Sequence, residues 1–97
     1  MGTSQGSAGY LMESRLNDAK RGNETAWFEL GICYSSGTGG AVLDLVEAHK
    51  WFNLAAMSGL ERAQECRAEI AGDMSAREIA AAQKAARAFL QGSGRLN

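Results

Sequence analysis

The sequence predicts an all-α protein of about five antiparallel helices that pack as a short α–α superhelix. Three observations lead to this prediction. Apolar residues recur at the i, i+4, i+7 spacing of one helix face, glycines separate the successive segments, and none of the 97 residues is proline. No alternating apolar and polar run is long enough to indicate a strand.

The helical segments have recognisable start and stop signals. We expect helices at residues 9–21, 24–36, 45–58, 60–71 and 76–91. Asn23 is a suitable N-cap for the second helix, and glycines at 22, 59 and 72 are suitable stops. Asp44 with Glu47, and Ser75 with Glu78, have the spacing of capping boxes for the third and fifth helices.

The length allows one domain, which we place at residues 9–91. Residues 1–8 are rich in glycine and serine and are predicted to be disordered, and residues 92–97 are predicted to be a flexible tail. The expected core consists of the apolar stripes of the last four helices: Ala26, Leu30, Cys33, Tyr34, Ala48, Trp51, Phe52, Ala55, Ala56, Ala63, Cys66, Ile70, Ile79, Ala82, Ala86, Phe89 and Leu90.

Small residues and aromatics recur at fixed spacings in the middle of the chain. From Ala19 to Gly39 the pattern is A-x2-G-x3-A-x3-L-G-x2-Y-x2-G-x-G, and from Asp44 to Ala63 it is D-x3-A-x2-W-x3-A-A-x2-G-x3-A. This pattern resembles the Sel-one-like repeat, a helix–turn–helix relative of the tetratricopeptide repeat. The resemblance implies two closely packed helices and a function in holding another protein.

The resemblance covers about half of the chain, roughly residues 19–63, and has two departures. Gly40-Ala41-Val42 indicates a one-residue insertion in the loop, and no second full repeat follows. Because a solenoid normally needs about three repeats to bury its faces, the flanking helices must act as caps. The stretch MSAREIAAAQKAARAFL resembles tails that follow such repeats in bacterial proteins, which implies a bacterial origin.

The charge and hydropathy of the chain limit the classes of partner and the location that we expect. The net charge is −1 and no basic stripe is present, so we expect no nucleic-acid partner and no anionic membrane surface. No apolar stretch is long enough to span a membrane, and no secretory signal is visible at the start. The expected location is therefore cytoplasmic.

The sequence has few residues of the types that act in catalysis or bind metals. His49 is the single histidine, and its position beside Lys50 predicts a surface residue rather than a base or a ligand. Cys33 and Cys66 are predicted to be buried thiols, and their spacing is not that of a metal site. We expect neither a catalytic site nor a metal or cofactor, and the S-S-G-T-G-G loop is interpreted as a turn of the repeat.

The candidate partner-binding residues lie on one face of the second helix. Phe28 and Ile32 lie opposite the stripe of Ala26 and Leu30 on a helical wheel, and the face also includes the polar residues Thr25 and Ser35. In the repeat architecture this face lines the concave side. Two bare apolar residues need a cover, which is an unidentified protein or peptide, the fifth helix, or a second copy of the chain.

These observations predict a non-catalytic protein–protein interaction module of the Sel-one-like type. The alternative is a structural domain that closes its exposed face by homodimerisation. A third reading, from another class, is a thiol-based redox protein that uses Cys33 or Cys66.

Overall fold

The computed structural model describes residues 3–92, which fold into five α-helices without a strand. The helices are α1 (Thr3–Lys20), α2 (Glu24–Ser36), α3 (Leu45–Met57), α4 (Glu61–Ala71) and α5 (Ala76–Gly92). The all-α prediction is confirmed, and the predicted boundaries of α2 to α5 agree with these to within one residue.

The first helix is longer than the sequence indicates. It begins at Thr3 rather than at residue 9, so it extends into the Gly/Ser-rich segment 1–8 that was expected to be disordered. Helix α5 likewise includes Gly92, the first residue of the predicted tail. Residues 1–2 and 93–97 lie outside the described residues, and the predictions for them remain predictions.

Side chains cap the starts of α2 and α5 as the sequence predicts. Asn23 Oδ1 accepts a hydrogen bond from Ala26 N at 3.0 Å, as expected for an N-cap. At α5 the capping box is complete, because Glu78 N donates to Ser75 Oγ at 3.1 Å and Ser75 N donates to Glu78 Oε1 at 2.8 Å. Each of these caps satisfies amides that the helix itself leaves without partners.

The capping box predicted for Asp44 and Glu47 at the start of α3 is only half formed. Glu47 N donates to Asp44 Oδ1 at 3.1 Å. The Glu47 carboxylate instead accepts from Trp51 Nε1 at 3.1 Å and pairs with Lys50 Nζ at 3.1 Å, while Asp44 N donates to the carbonyl of Tyr34. Side chains three and four residues further along α3 therefore take the carboxylate that the capping box would have used.

Helix α3 lies at the centre of the fold, and α2, α4 and α5 all pack against it, while α1 packs against α2. The main contact of α5 is with α3, not with the preceding α4. Short connections predict that consecutive helices pack antiparallel, but α4 and α5 make few contacts with each other. The difference has a physical reason: α5 places Phe89 edge-on against Trp51 of α3, with ring centroids 5.1 Å apart, and aromatic pairs favour this geometry.

The core forms mostly from the predicted stripes, and Trp27, His49 and Leu54 are buried in addition. Trp27 is buried although it lies outside the predicted stripe of α2. Its Nε1 donates to the carbonyl of Ala19 at 3.0 Å, and its ring meets Phe89 edge-on at 6.1 Å. Helices α1 and α5 thus cover a second side of α2. A helical wheel with one buried stripe does not predict this second contact. His49 is described below.

Candidate functional site

The outer face of α2 carries the four predicted partner-binding residues. Thr25 and Ile32 are exposed, with 39% of Ile32 accessible to solvent, whereas Phe28 and Ser35 are half-buried. All four lie along one helix, so the structure brings them to one side of the domain. Their role in binding is not decided by this placement and remains a prediction.

The helical wheel predicted that Phe28 projects away from the core, but in the structure it does not. Its ring packs against Phe52 of α3, with centroids 5.7 Å apart and planes tilted by 52°. The reason is the absence of a side chain at Gly31, which lets the Phe52 ring approach the flank of α2 on which Phe28 lies. Phe28 therefore contributes to the core through one part of its ring, and Ile32 is the more exposed apolar member of the face.

The polar members of this face are partly engaged within the helix itself. Ser35 Oγ and Ser36 Oγ both donate to the carbonyl of Ile32, at 3.0 and 2.7 Å. Beside them, Glu29 Oε1 lies 3.5 Å from Arg15 Nε of α1. The hydroxyls remain acceptors for a partner, because each has lone pairs left after donating its proton.

Helix α5 leaves Ile32 uncovered. Phe89 of α5 contacts Trp27 and Trp51, on the buried side of the α2–α3 pair. Of the three expected covers for the Phe28–Ile32 face, the fifth helix is therefore the one that the structure contradicts. The physical reason is that two buried indole rings offer a larger apolar surface to α5 than one half-buried phenylalanine and one isoleucine.

A shallow cleft of about 230 Å³ lies between the start of α2 and the ends of α3 and α5. Trp27, Leu54 and Leu90 line it, together with Met57, which is 61% exposed. This cleft was not predicted, because the predicted stripe of α2 did not include Trp27. The signal was the pair of adjacent aromatic residues 27 and 28, which cannot both lie on one narrow stripe.

The two cysteines are free and differ in exposure. Cys33 is buried in α2, and Cys66 is half-buried in α4, so the prediction of a buried thiol holds fully only for Cys33. Within residues 3–92, no group of three or more histidine, cysteine, aspartate or glutamate side chains is placed to hold a metal ion. A shallow surface groove beside Cys66 is lined by polar residues of α4, including Glu65 and Glu69.

His49 is buried, which overturns the expectation of a surface histidine. Only 3% of the residue is exposed, and Nδ1 has no hydrogen-bond partner. Burial lowers the pKa of His49 because it disfavours the charged ring, and the positive charge of Arg67 lowers it further. A backbone hydrogen bond of the residue raises the pKa, but its effect is the smallest of the three, so the pKa stays below its ordinary value. The prediction failed because α4 packs on the side of α3 that carries His49, which places Arg67 near the ring.

No family model, no curated protein and no solved structure matches this chain. Among the helices in the described part of the chain, none combines the length and the apolar character needed to cross a membrane.

Proposed function

We propose that this domain is a non-catalytic module that binds a protein or peptide on the outer face of α2. The observation that carries the proposal is the exposure of Ile32 on a face that α5 leaves open. Thr25 and Ser35 supply polar groups at the ends of this face, and the Phe28 ring supplies part of its apolar floor. An apolar anchor surrounded by polar groups is the usual composition of a peptide-binding surface.

The resemblance to the Sel-one-like repeat supports the same function. In that architecture the corresponding face is the concave side, on which related repeats bind peptides. The close packing of α2 on α3 at Gly31 and Phe52 is consistent with the small residues of that pattern. The proposal includes the absence of catalysis, which the sequence predicts because it has a single histidine and two cysteines far apart in the chain.

Replacement of Ile32 by serine tests the proposal most directly. Because Ile32 is exposed, Ile32→Ser should change the melting temperature little while it abolishes capture of the native partner. Val42→Ser is the matched control, since Val42 is also apolar, is 82% exposed and lies in the loop between α2 and α3. Phe28→Ala is a poorer probe because it also removes the contact with Phe52.

The readouts are affinity capture from the native host, a melting curve and light scattering after size exclusion. Loss of one captured protein with Ile32→Ser, and its retention with Val42→Ser, would support a partner-binding face. Conversion of a dimer into a monomer by Ile32→Ser would favour homodimerisation instead. Unchanged partners and an unchanged oligomeric state would show that the face does not bind, and the proposal would be wrong.

A further inference from the structure

His49 lies at the contact between α3 and α4. His49 and Asn53 are four residues apart, so they lie on the same side of α3. Asn53 accepts a hydrogen bond from Arg67 Nη1 of α4, which identifies that side as the one that faces α4. The imidazole is therefore buried at a helix–helix contact, and its Nδ1 has no hydrogen-bond partner there.

The charges around this ring oppose its protonation. Arg67 is the charged group of α4 that acts on His49, and its hydrogen bond to Asn53 holds the guanidinium at the contact. On α3 itself, the neighbouring Lys50 is paired with Glu47 one turn nearer the start of the helix. A proton on His49 would thus place a second positive charge near Arg67 in a site that excludes water.

The other elements packed on α3 supply no compensating carboxylate to the ring. From α2, the titratable groups at the core are Cys33 and Tyr34, and the carboxylates that act on Tyr34 are those of Asp44 and Glu47 at the start of α3. From α5, the residues that pack inward are apolar: Ala82, Ala86, Phe89 and Leu90. Protonation of His49 is therefore disfavoured as long as α4 covers the ring.

Helix α4 buries few of its own side chains. Ala63 is its one fully buried residue, Cys66 and Ile70 pack against the core while partly exposed, and its main packing partner is α3. Most of its remaining side chains are charged or half-buried, including Glu61, Glu65 and Glu69. A helix with so little buried apolar surface opens locally at a lower free-energy cost than the helices that form the core.

We propose that His49 makes the α3–α4 contact sensitive to acid, so that protonation of its ring releases α4 while α2, α3 and α5 remain packed. Release gives the imidazolium access to water and separates it from Arg67. The α3 surface that α4 covers then becomes available, and the half-buried thiol of Cys66 becomes exposed. This inference does not depend on the proposed role of the outer face of α2.

The direction of the pH dependence follows from proton linkage. The pKa of His49 in the closed domain lies below its ordinary value of 6.5, so the open or unfolded chain binds the proton more readily. The stabilising contribution of the neutral ring is fully present above the ordinary value of about 6.5. It is lost progressively as the pH falls from there through the pKa of the closed domain.

Nuclear magnetic resonance of the ring tests the first step on the unmodified protein. The chain has a single histidine, so the Hε1 signal of His49 needs no mutational assignment. We expect its titration midpoint below 6.5, and Arg67→Gln should move the midpoint upward because it removes the repelling charge while it keeps a donor for Asn53. A midpoint at or above the ordinary value of about 6.5 in the parent protein would overturn the proposal.

Hydrogen exchange, corrected for its intrinsic pH dependence, tests the release of α4. Between about pH 7.5 and about pH 5, a range that brackets the ordinary histidine pKa, amides of α4 should lose protection while those of α3 and α5 keep it. His49→Gln should remove this difference between helices. Equal loss of protection in all helices, or the same loss in His49→Gln, would contradict the proposal. If His49→Gln does not fold, the titration and exchange of the parent protein decide the question.

Discussion

The backbone of Gly31 in α2 lies directly against the aromatic ring of Phe52 in α3. A Cβ atom added at position 31 would lie 2.9 Å from Phe52 Cγ and closer still to Cδ1. Real Cβ atoms do not approach other atoms so closely, and Phe52 is almost completely buried, so its ring has little room to move. This contact sets the distance between the two helices that carry most of the core.

Replacement of Gly31 by alanine should therefore destabilise the domain. Alanine favours a helix over glycine by about 1 kcal/mol, but overpacking a full core costs about 1–3 kcal/mol. We expect a net loss of up to about 2 kcal/mol in the free energy of unfolding, measured by chemical denaturation. Gly9→Ala is the matched control, because Gly9 is also helical and has open space around its added Cβ.

The control should be neutral or slightly stabilising, since it changes only helix propensity. Equal effects of Gly31→Ala and Gly9→Ala on the free energy of unfolding would show that the Phe52 contact does not limit the approach of α2 and α3.

Trp51 and Phe89 should stabilise the domain together. Trp51 is buried and its ring meets Phe89 edge-on, so Trp51→Ala should cost about 3–5 kcal/mol, the range for a truncated large aromatic residue. In a double-mutant cycle with Phe89→Leu, the coupling energy should be about 0.5–1.5 kcal/mol, as measured for aromatic pairs. A coupling energy near zero would show that α5 does not depend on this contact.

The two thiols should differ in reactivity under native conditions. Cys33 is buried, and a Cβ at Gly39 would come 2.7 Å from its Sγ, so the loop closes tightly over it. Cys66 is half-buried on α4. A thiol reagent should therefore label Cys66 readily and Cys33 only after unfolding.

Mass spectrometry of the single-cysteine variants Cys33→Ala and Cys66→Ala assigns each labelling rate. Rapid native labelling of Cys33 would indicate that the loop opens over it and would favour the thiol-based redox alternative.

Local signals predicted the helix boundaries well where a cap or a glycine defines them. Asn23 begins α2, Gly37 adopts a positive φ of 70° at its end, and the box of Ser75 and Glu78 begins α5. These features depend on residues a few positions apart, so they can be predicted before any tertiary contact is known. The start of α1 has no such signal, and its position differs from the prediction most.

The partner that a capping side chain takes is harder to predict than the end of a helix. Glu47 has the spacing for a capping box with Asp44, but its carboxylate bonds to Trp51 and Lys50 instead. Lys50 and Trp51 lie three and four residues after Glu47 on the same helix, so two sets of local contacts compete for one carboxylate. The spacing alone cannot predict which partner the carboxylate takes.

The sequence by itself determined the all-α class, the order of the helices and most of the buried stripe, because these follow from periodicity and turn residues. Only the tertiary structure decided that Trp27 and His49 are buried, that Phe28 rests on Phe52, and that α5 returns to α3. Each of these depends on which side of a helix a distant segment covers. A helical wheel defines the sides of a helix, but the packing of large side chains determines which neighbour covers them.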